Sequence, residues 1–190
     1  MYNNMIKTKK ELREYLEADK IALGICLKKP RLFRDELWKF QRLYRKTEYY
    51  WNNRNRSMIY RIIATFMMLY YRKKSRQRCC EIPINCIGKG LAIWHGYNII
   101  INDTAKIGEF FGISANTNVG QAHGVAPIIG DNVTMCMGSC VLGGIRICNN
   151  VTIGAKALVL KNVNEEYVTV GGIPAKILRH HEKSKPLIRG

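Results

Sequence analysis

Four histidines and seven cysteines offer most of the reactive chemistry in this 190-residue chain. Neutral imidazole, with an unperturbed pKa of about 6.5, can accept a proton near working pH or ligate a metal. His95 sits in Gly90-Leu91-Ala92-Ile93-Trp94-His95-Gly96, where a lone histidine could equally be a hydrogen-bonded turn residue. His123 sits in Gly120-Gln121-Ala122-His123-Gly124-Val125-Ala126-Pro127. His180 and His181, flanked by Arg179, Lys183 and Lys185, read as part of a solvated basic tail. No second ligand pair at zinc spacing accompanies them, so no metal site is expected. Cys79 and Cys80 are adjacent and Cys136 and Cys140 have three residues between them, so neither pair makes a C-x-x-C pattern. Gly-rich phosphate loops and dinucleotide fingerprints are missing, which removes support for ATP or NAD chemistry.

Those residues need a scaffold, and the charge distribution divides the chain. Residues 1–80 hold 21 Lys/Arg against 7 Asp/Glu, a net of +14, whereas residues 81–190 carry only +3 of the overall +17. We therefore expect a basic helical part over 1–80, a second domain over 81–178 and a basic tail over 179–190. Thr8 and Glu11 have capping-box spacing, followed by Leu12, Tyr15, Leu16, Ile21 and Leu23 as an apolar stripe. Leu32, Phe33, Leu37, Phe40, Leu43 and Tyr44 predict a second helix, and residues 57–77 a third. The apolar run Met58–Tyr71 contains Arg61 and is too short to span a bilayer. With Arg72, Lys73, Lys74, Arg76 and Arg78 after it, the run suits either packing on the rest of the protein or an anionic membrane face. No nucleic-acid reader motif is visible, so nucleic acid is not an expected partner. An odd cysteine count without a preceding signal-peptide core points to a reducing, cytoplasmic compartment.

The second part is a repeat. Ile87, Ile93 and Ile99 are six residues apart; after a slip of two come Ile101, Ile107, Ile113 and Val119; after an insertion, Ile129, Met135, Val141, Ile147, Ile153 and Val159. In the unbroken stretch the fourth residue after each anchor is Val133, Ser139, Ile145, Val151, Ala157 or Val163. A short fixed period of this kind specifies a stacked β-solenoid. Three hexads make an eighteen-residue coil, and Ile87–Asn164 holds about four coils. Compact residues such as Gly88, Gly108, Gly120, Gly130 and Gly154 follow the anchors, where we expect the backbone to turn.

These hexads resemble the hexapeptide-repeat acyltransferases, serine-acetyltransferase-like branch. The resemblance rests also on Gly90–Gly96 and on Ile153-Gly154-Ala155-Lys156-Ala157 … Val170-Gly171-Gly172-Ile173-Pro174-Ala175-Lys176. It covers roughly residues 81–180. Leu16–Gly24 and Trp38–Arg42 are in turn similar to short members that act in capsule and surface-polysaccharide synthesis. The resemblance implies a mainly β fold, a left-handed parallel β-helix of about four coils with an α-helical N-terminal part. It also implies a homotrimer or a dimer of trimers, with acetyl-CoA as donor in a groove between adjacent solenoids and no metal. A helical cap on the first coil would protect an exposed strand edge.

By the same resemblance His95 is the general base that deprotonates an acceptor hydroxyl, and Trp94 lies beside it. Gly138 and Ala155 would flank the pantetheine arm, and Lys161 and Lys176 would approach the phosphates. His123 is placed by the one long insertion rather than by the resemblance: it either projects beside the groove to contact the acceptor or is an ordinary exposed corner histidine. The family's Asp-x-His-Pro segment, whose aspartate orients the histidine, aligns with Cys80-Glu81-Ile82-Pro83, so Glu81 is the candidate substitute. Cys80 stays open as a nucleophile, with a histidine one coil away as its sole visible activator. The serine-binding Arg-His-Pro aligns with Val125-Ala126-Pro127. These departures favour O-acetylation of a surface-polysaccharide sugar, in the cytoplasm or peripherally at the inner membrane face. L-serine O-acetylation and a non-catalytic trimeric scaffold are the alternatives.

Overall fold

The structure, a computed structural model, describes residues 4–183. Three helices come first: α1 (Lys9–Ala22), α2 (Glu36–Asn52) and α3 (Met58–Arg76). Thr8 and Glu11 close the expected capping box on α1, and the Ser57 side chain accepts from the Tyr60 amide to start α3. The second helix begins later than its apolar pattern suggests. Leu32 and Phe33 lie in the preceding loop, fully presented to solvent. There Arg31 pairs with Asp35, a residue whose left-handed backbone (φ 58°) cannot belong to the helix. Among the described residues no helix is long and apolar enough to cross a membrane.

A triangular coil follows, with three sides built by parallel strands. One side stacks β1 (Ala92–Ile93), β4 (Gly112–Ile113), β7 (Thr134–Met135), β10 (Val151–Ile153) and β12 (Val168–Gly172), with β13 (Ala175–His180) antiparallel at its end. A second side stacks β2 (Ile100–Ile101), β5 (Asn118–Gly120), β8 (Cys140–Leu142) and β11 (Leu158–Val159). The third stacks β3 (Lys106–Ile107), β6 (Ile128–Ile129) and β9 (Arg146–Ile147). The regular coil pairs Met135 with Ile153, eighteen residues on. Ile93 pairs with Ile113, two residues more, and Ile107 with Ile129, four more, so both sequence slips are corner insertions. All thirteen anchors point inward and are buried. Burial contributes about 1.5–3 kcal/mol per side chain, whereas the exposed Lys89–Glu109 pair (3.5 Å) is worth about 1 kcal/mol at most. The inner column holds the coils together.

Glycine serves a different purpose from the one its position suggests. Gly88, Gly108 and Gly130 do not have positive φ; an added Cβ would instead lie 2.7–2.8 Å from backbone atoms of the next coil. Close stacking excludes a side chain there. Four left-handed corners fall to asparagines: Asn98, Asn116, Asn132 and Asn150 all have φ between 54° and 59°. Their amides form ladders, Asn98 to Asn116 at 3.0 Å and Asn132 to Asn150 at 2.8 Å.

The helices close the open end of this prism, and Phe40, Tyr44, Met68 and Tyr71 join the solenoid anchors in one core. The change of architecture near Cys79–Glu81 is therefore not a break in packing. Polar side chains from α1 and α2 take up the backbone groups that the first coil leaves unpaired. Arg45, fully buried, donates to the carbonyls of Ile87 (3.0 Å) and Gly88 (2.6 Å) and to Asp19 and Glu48. Asp19 accepts from the Gly90 and Leu91 amides, Glu48 from the Asn85 amide, and Gln41 from the Ile93 amide. The apolar stripe read on α1 is only partly buried; the residue of α1 that is buried is Asp19.

Candidate active site

The two-residue slip creates the turn that displays His95. It adds residues to the corner between β1 and β2, and the chain bulges at His95 (φ 52°) and Gly96. The Tyr97 amide bonds back to the His95 carbonyl at 2.6 Å. Outside contacts fix the bulge. The Asn98 amide donates to the Arg78 carbonyl at 2.9 Å, and the Cys80 thiol to the Gly96 carbonyl at 3.6 Å. The Arg78 guanidinium lies over the rings of Phe40 and Tyr97, 5.3 and 5.5 Å from their centroids. Gly96 is buried so closely against Leu37 of α2 that a Cβ would sit 2.4 Å from its Cδ1. The His95 ring itself is exposed, and among the described residues no hydrogen bond or ion pair holds it. A rigid backbone thus presents a free imidazole. Trp94 stands next to it, 40% exposed, with its amide bonded to the Ile113 carbonyl.

Above this turn the same corner repeats through the next coils. The Asn116 amide donates to the Tyr97 carbonyl, Gly138 to Ala115 and Lys156 to Met137, at 3.0–3.1 Å. Coils stack at about 4.8 Å, so His95 lies about 14 Å from Ala155 along one edge. Gly138 (φ 73°) and the exposed Ala155 are the compact members of this edge, and the exposed Met137 and Lys156 stand beside them, Lys156 close over Gly138. The sequence-derived candidates His95, Trp94, Gly138 and Ala155 therefore share one track.

The other candidates do not join them within one chain. Glu81 makes no ion pair or hydrogen bond with His95 among the described residues. It lines a cavity of about 810 Å3 between α3 and the β2–β5 side, with Arg72, Arg76, Asn102 and Asp103. Successive residues of an extended segment face opposite ways, so the neighbouring Cys80 takes the place beside the histidine turn. Burial pushes the Cys80 thiol pKa up, which keeps the group protonated and unsuited to nucleophilic attack. For the acetyl-CoA-dependent transfer that the resemblance implies, Cys80→Ala should leave CoA release within about threefold of the parent; a loss as deep as that of a His95 variant would make Cys80 a reacting group.

His123 and Lys161 lie on the opposite edge of the β2–β5–β8–β11 side. The four-residue insertion folds as a tight hairpin, with Ala122 and Val125 exchanging two 3.1 Å bonds around His123 (φ 52°) and Gly124 (φ 79°). It lies against Gly143 and Gly144 of the next coil. Lys161 is exposed in the last coil, and Lys176 is exposed on β13, opposite Gly171. The tail begins later than the sequence suggests, because β13 runs through His180. His180 lies 3.9 Å from Glu165, and His181 bonds Thr169 at 2.6 Å, so the two rings engage separate partners. The remainder of the tail, 184–190, lies outside the described residues. Among the described residues no group of three or more His, Cys, Asp or Glu is placed to hold a metal. Sequence reading missed Arg78, Tyr97 and Leu37, which fix the histidine turn from the helical part.

No protein-family model matches the chain. Over 100 residues it is 41% identical to serine acetyltransferase of Staphylococcus epidermidis and 42% to that of Staphylococcus aureus. Each match spans 49% of this chain and 45% of the relative, so less than half the relative's length is covered. Among solved structures, the soybean serine acetyltransferase apoenzyme superposes with a TM-score of 0.69 at 22% identity, covering 90% of this chain and 70% of that one. A serine acetyltransferase complex with CoA gives 0.67 at 22%, covering 90% and 71%. The chain has the left-handed parallel β-helix fold of the serine acetyltransferases.

Proposed function

We propose that this protein transfers an acetyl group from acetyl-CoA to an alcohol, with His95 as general base. The observation that carries the reading is the exposed, unbonded His95 ring at the foot of a corner that stacks coil on coil up to Gly138 and Ala155. The imidazole takes the alcohol proton as the oxygen attacks the thioester carbonyl. The tetrahedral oxyanion, held by backbone N–H donors, collapses with cleavage of the C–S bond. The imidazolium then returns its proton to the departing CoA sulfur. No acetyl-enzyme forms. A histidine that braced its own turn would have its ring bonded to neighbouring backbone, and this ring is left open to an acceptor.

The reading includes a homotrimer, alone or as a dimer of trimers. The separation of His95 from His123 and Lys161 supports it: the β2–β5–β8–β11 side has the histidine corner on one edge and the hairpin with Lys161 on the other. Neighbouring copies would bring unlike edges together, with acetyl-CoA between them. Lys161 and Lys176 then serve its phosphates.

L-serine is the acceptor that the relatives' names favour. One observation supports the polysaccharide reading instead. The hairpin carries Gln121, His123 and Val125 but no Arg or Lys for a free carboxylate. CoA release with L-serine, measured against release with acidic and neutral glycans, separates the two. Serine-dependent turnover at least about tenfold above any glycan establishes the amino-acid acceptor; the reverse establishes the sugar. The cysteine content fits a cytoplasmic enzyme, and the basic helices fit a position at an anionic surface.

A further inference from the structure

We infer that the outward side of α3, together with the loop before α2, docks on an anionic lipid bilayer. Ala64, Met68, Tyr71 and Ser75 turn inward, where Tyr71 stacks on Phe40 at 5.7 Å. Among the described residues nothing covers the opposite side of the helix. Ile59, Ile62, Phe66 and Leu69 are each 60–68% exposed there, at helical spacing, with Met58 and Tyr70 beside them. From Ile59 to Tyr70 the stripe is about 17 Å long. Alternating the two faces this way leaves an apolar strip that water does not solvate well.

Charge identifies the occupant. α3 carries Arg61, Arg72, Lys73, Lys74 and Arg76 and not one acidic residue. The loop before α2 repeats the chemistry: Leu32 and Phe33, 76% and 91% exposed, stand among Lys28, Lys29 and Arg34, with Arg31 paired to Asp35. The two pieces are neighbours, because Lys39 donates to the Leu32 carbonyl and shares a groove with Tyr70, Lys74 and Arg78. Apolar side chains set among cations match the interface of an anionic bilayer, where acyl chains lie under phosphate groups. A second copy is a poorer partner, since self-pairing would oppose cations with cations.

The test uses the full chain and vesicles of phosphatidylcholine alone or with an equal part of phosphatidylglycerol. Cosedimentation should occur with the anionic vesicles and be at least about tenfold weaker with the neutral ones. Phe66→Ser/Leu69→Ser, and separately Phe33→Ser in the loop, should each lower partitioning by about tenfold while far-ultraviolet circular dichroism stays unchanged. Three outcomes would overturn the inference: equal binding to both vesicle types, no binding to either, or binding that survives all these changes. An assembly that falls apart on Phe66→Ser/Leu69→Ser without any vesicle binding would assign the stripe to another copy. Acetyl transfer to a soluble acceptor does not enter this readout, so the inference stands or falls apart from the proposed reaction.

Discussion

His95→Asn is expected to lower kcat by about 10²–10⁴-fold, the range for removing a general base, while KM for acetyl-CoA changes little. Asparagine is the informative replacement because it tolerates the left-handed backbone at this position (φ 52°) but cannot take up the alcohol proton near neutral pH. The imidazole bonds to no described group, so its loss should leave the thermal midpoint within about 2 °C of the parent. Stopped assays of CoA release together with a melting curve check both halves. Added imidazole should return part of the activity of His95→Ala, because the vacated space opens to solvent. A His95→Asn protein that turns over at the parental rate would show that the proton goes elsewhere. The proposed reaction would then lose its centre.

The solenoid was legible because its period is set by the interior: each anchor must be aliphatic, and the interruptions of two and four residues mark where corners swell. His95 was marked by the resemblance of its Gly90–Gly96 segment to the hexapeptide-repeat acyltransferases; that the smaller swelling forms its turn comes from the structure. What carried no signal is contact between distant segments. Glu81 and Cys80 are adjacent, and a linear alignment cannot say which of them faces a turn one coil away; the structure places Cys80 there. Gln41, Arg45 and Glu48 recur at helical spacing within the apolar pattern of α2, which reads as a solvated edge of the helix. They are buried, and they face the unpaired backbone of the first coil. Polar residues in step with the apolar stripe, opposite a solenoid's open end, were the available clue. Phe33 failed differently: it fits the helical period, but the Arg31–Asp35 turn cuts the helix off behind it.

Arg45→Met should be the most damaging single change outside the site, costing about 3–5 kcal/mol and lowering the midpoint by about 6–20 °C. The side chain is fully buried between Asp19 and Glu48, and methionine fills similar volume, so the loss is electrostatic rather than a cavity. Burial already pushes the Glu48 carboxyl pKa up, and Arg45 opposes that shift. Without the guanidinium the shift grows. A carboxyl whose folded pKa lies above its unfolded value adds stability below the unfolded pKa and loses it as pH rises. The deficit of Arg45→Met should therefore widen from about pH 5 to pH 8, as measured by denaturant titration. Many buried ion pairs can be exchanged for apolar residues without loss. This one should resist that exchange, because Asp19, Arg45 and Glu48 also hold the Asn85, Gly90 and Leu91 amides and the Ile87 and Gly88 carbonyls. A triple replacement by Leu, Met and Leu would leave five backbone groups of the first coil bare, at about 1–3 kcal/mol each. Hydrogen exchange at Gly90–Ile93 should then quicken before exchange in β7 or β10 does. Those residues lead straight into the His95 turn, so the same variant should lose turnover at temperatures where the later coils remain folded. A triple variant as stable as the parent would mean that the helices merely cover the solenoid and do not complete its hydrogen bonding.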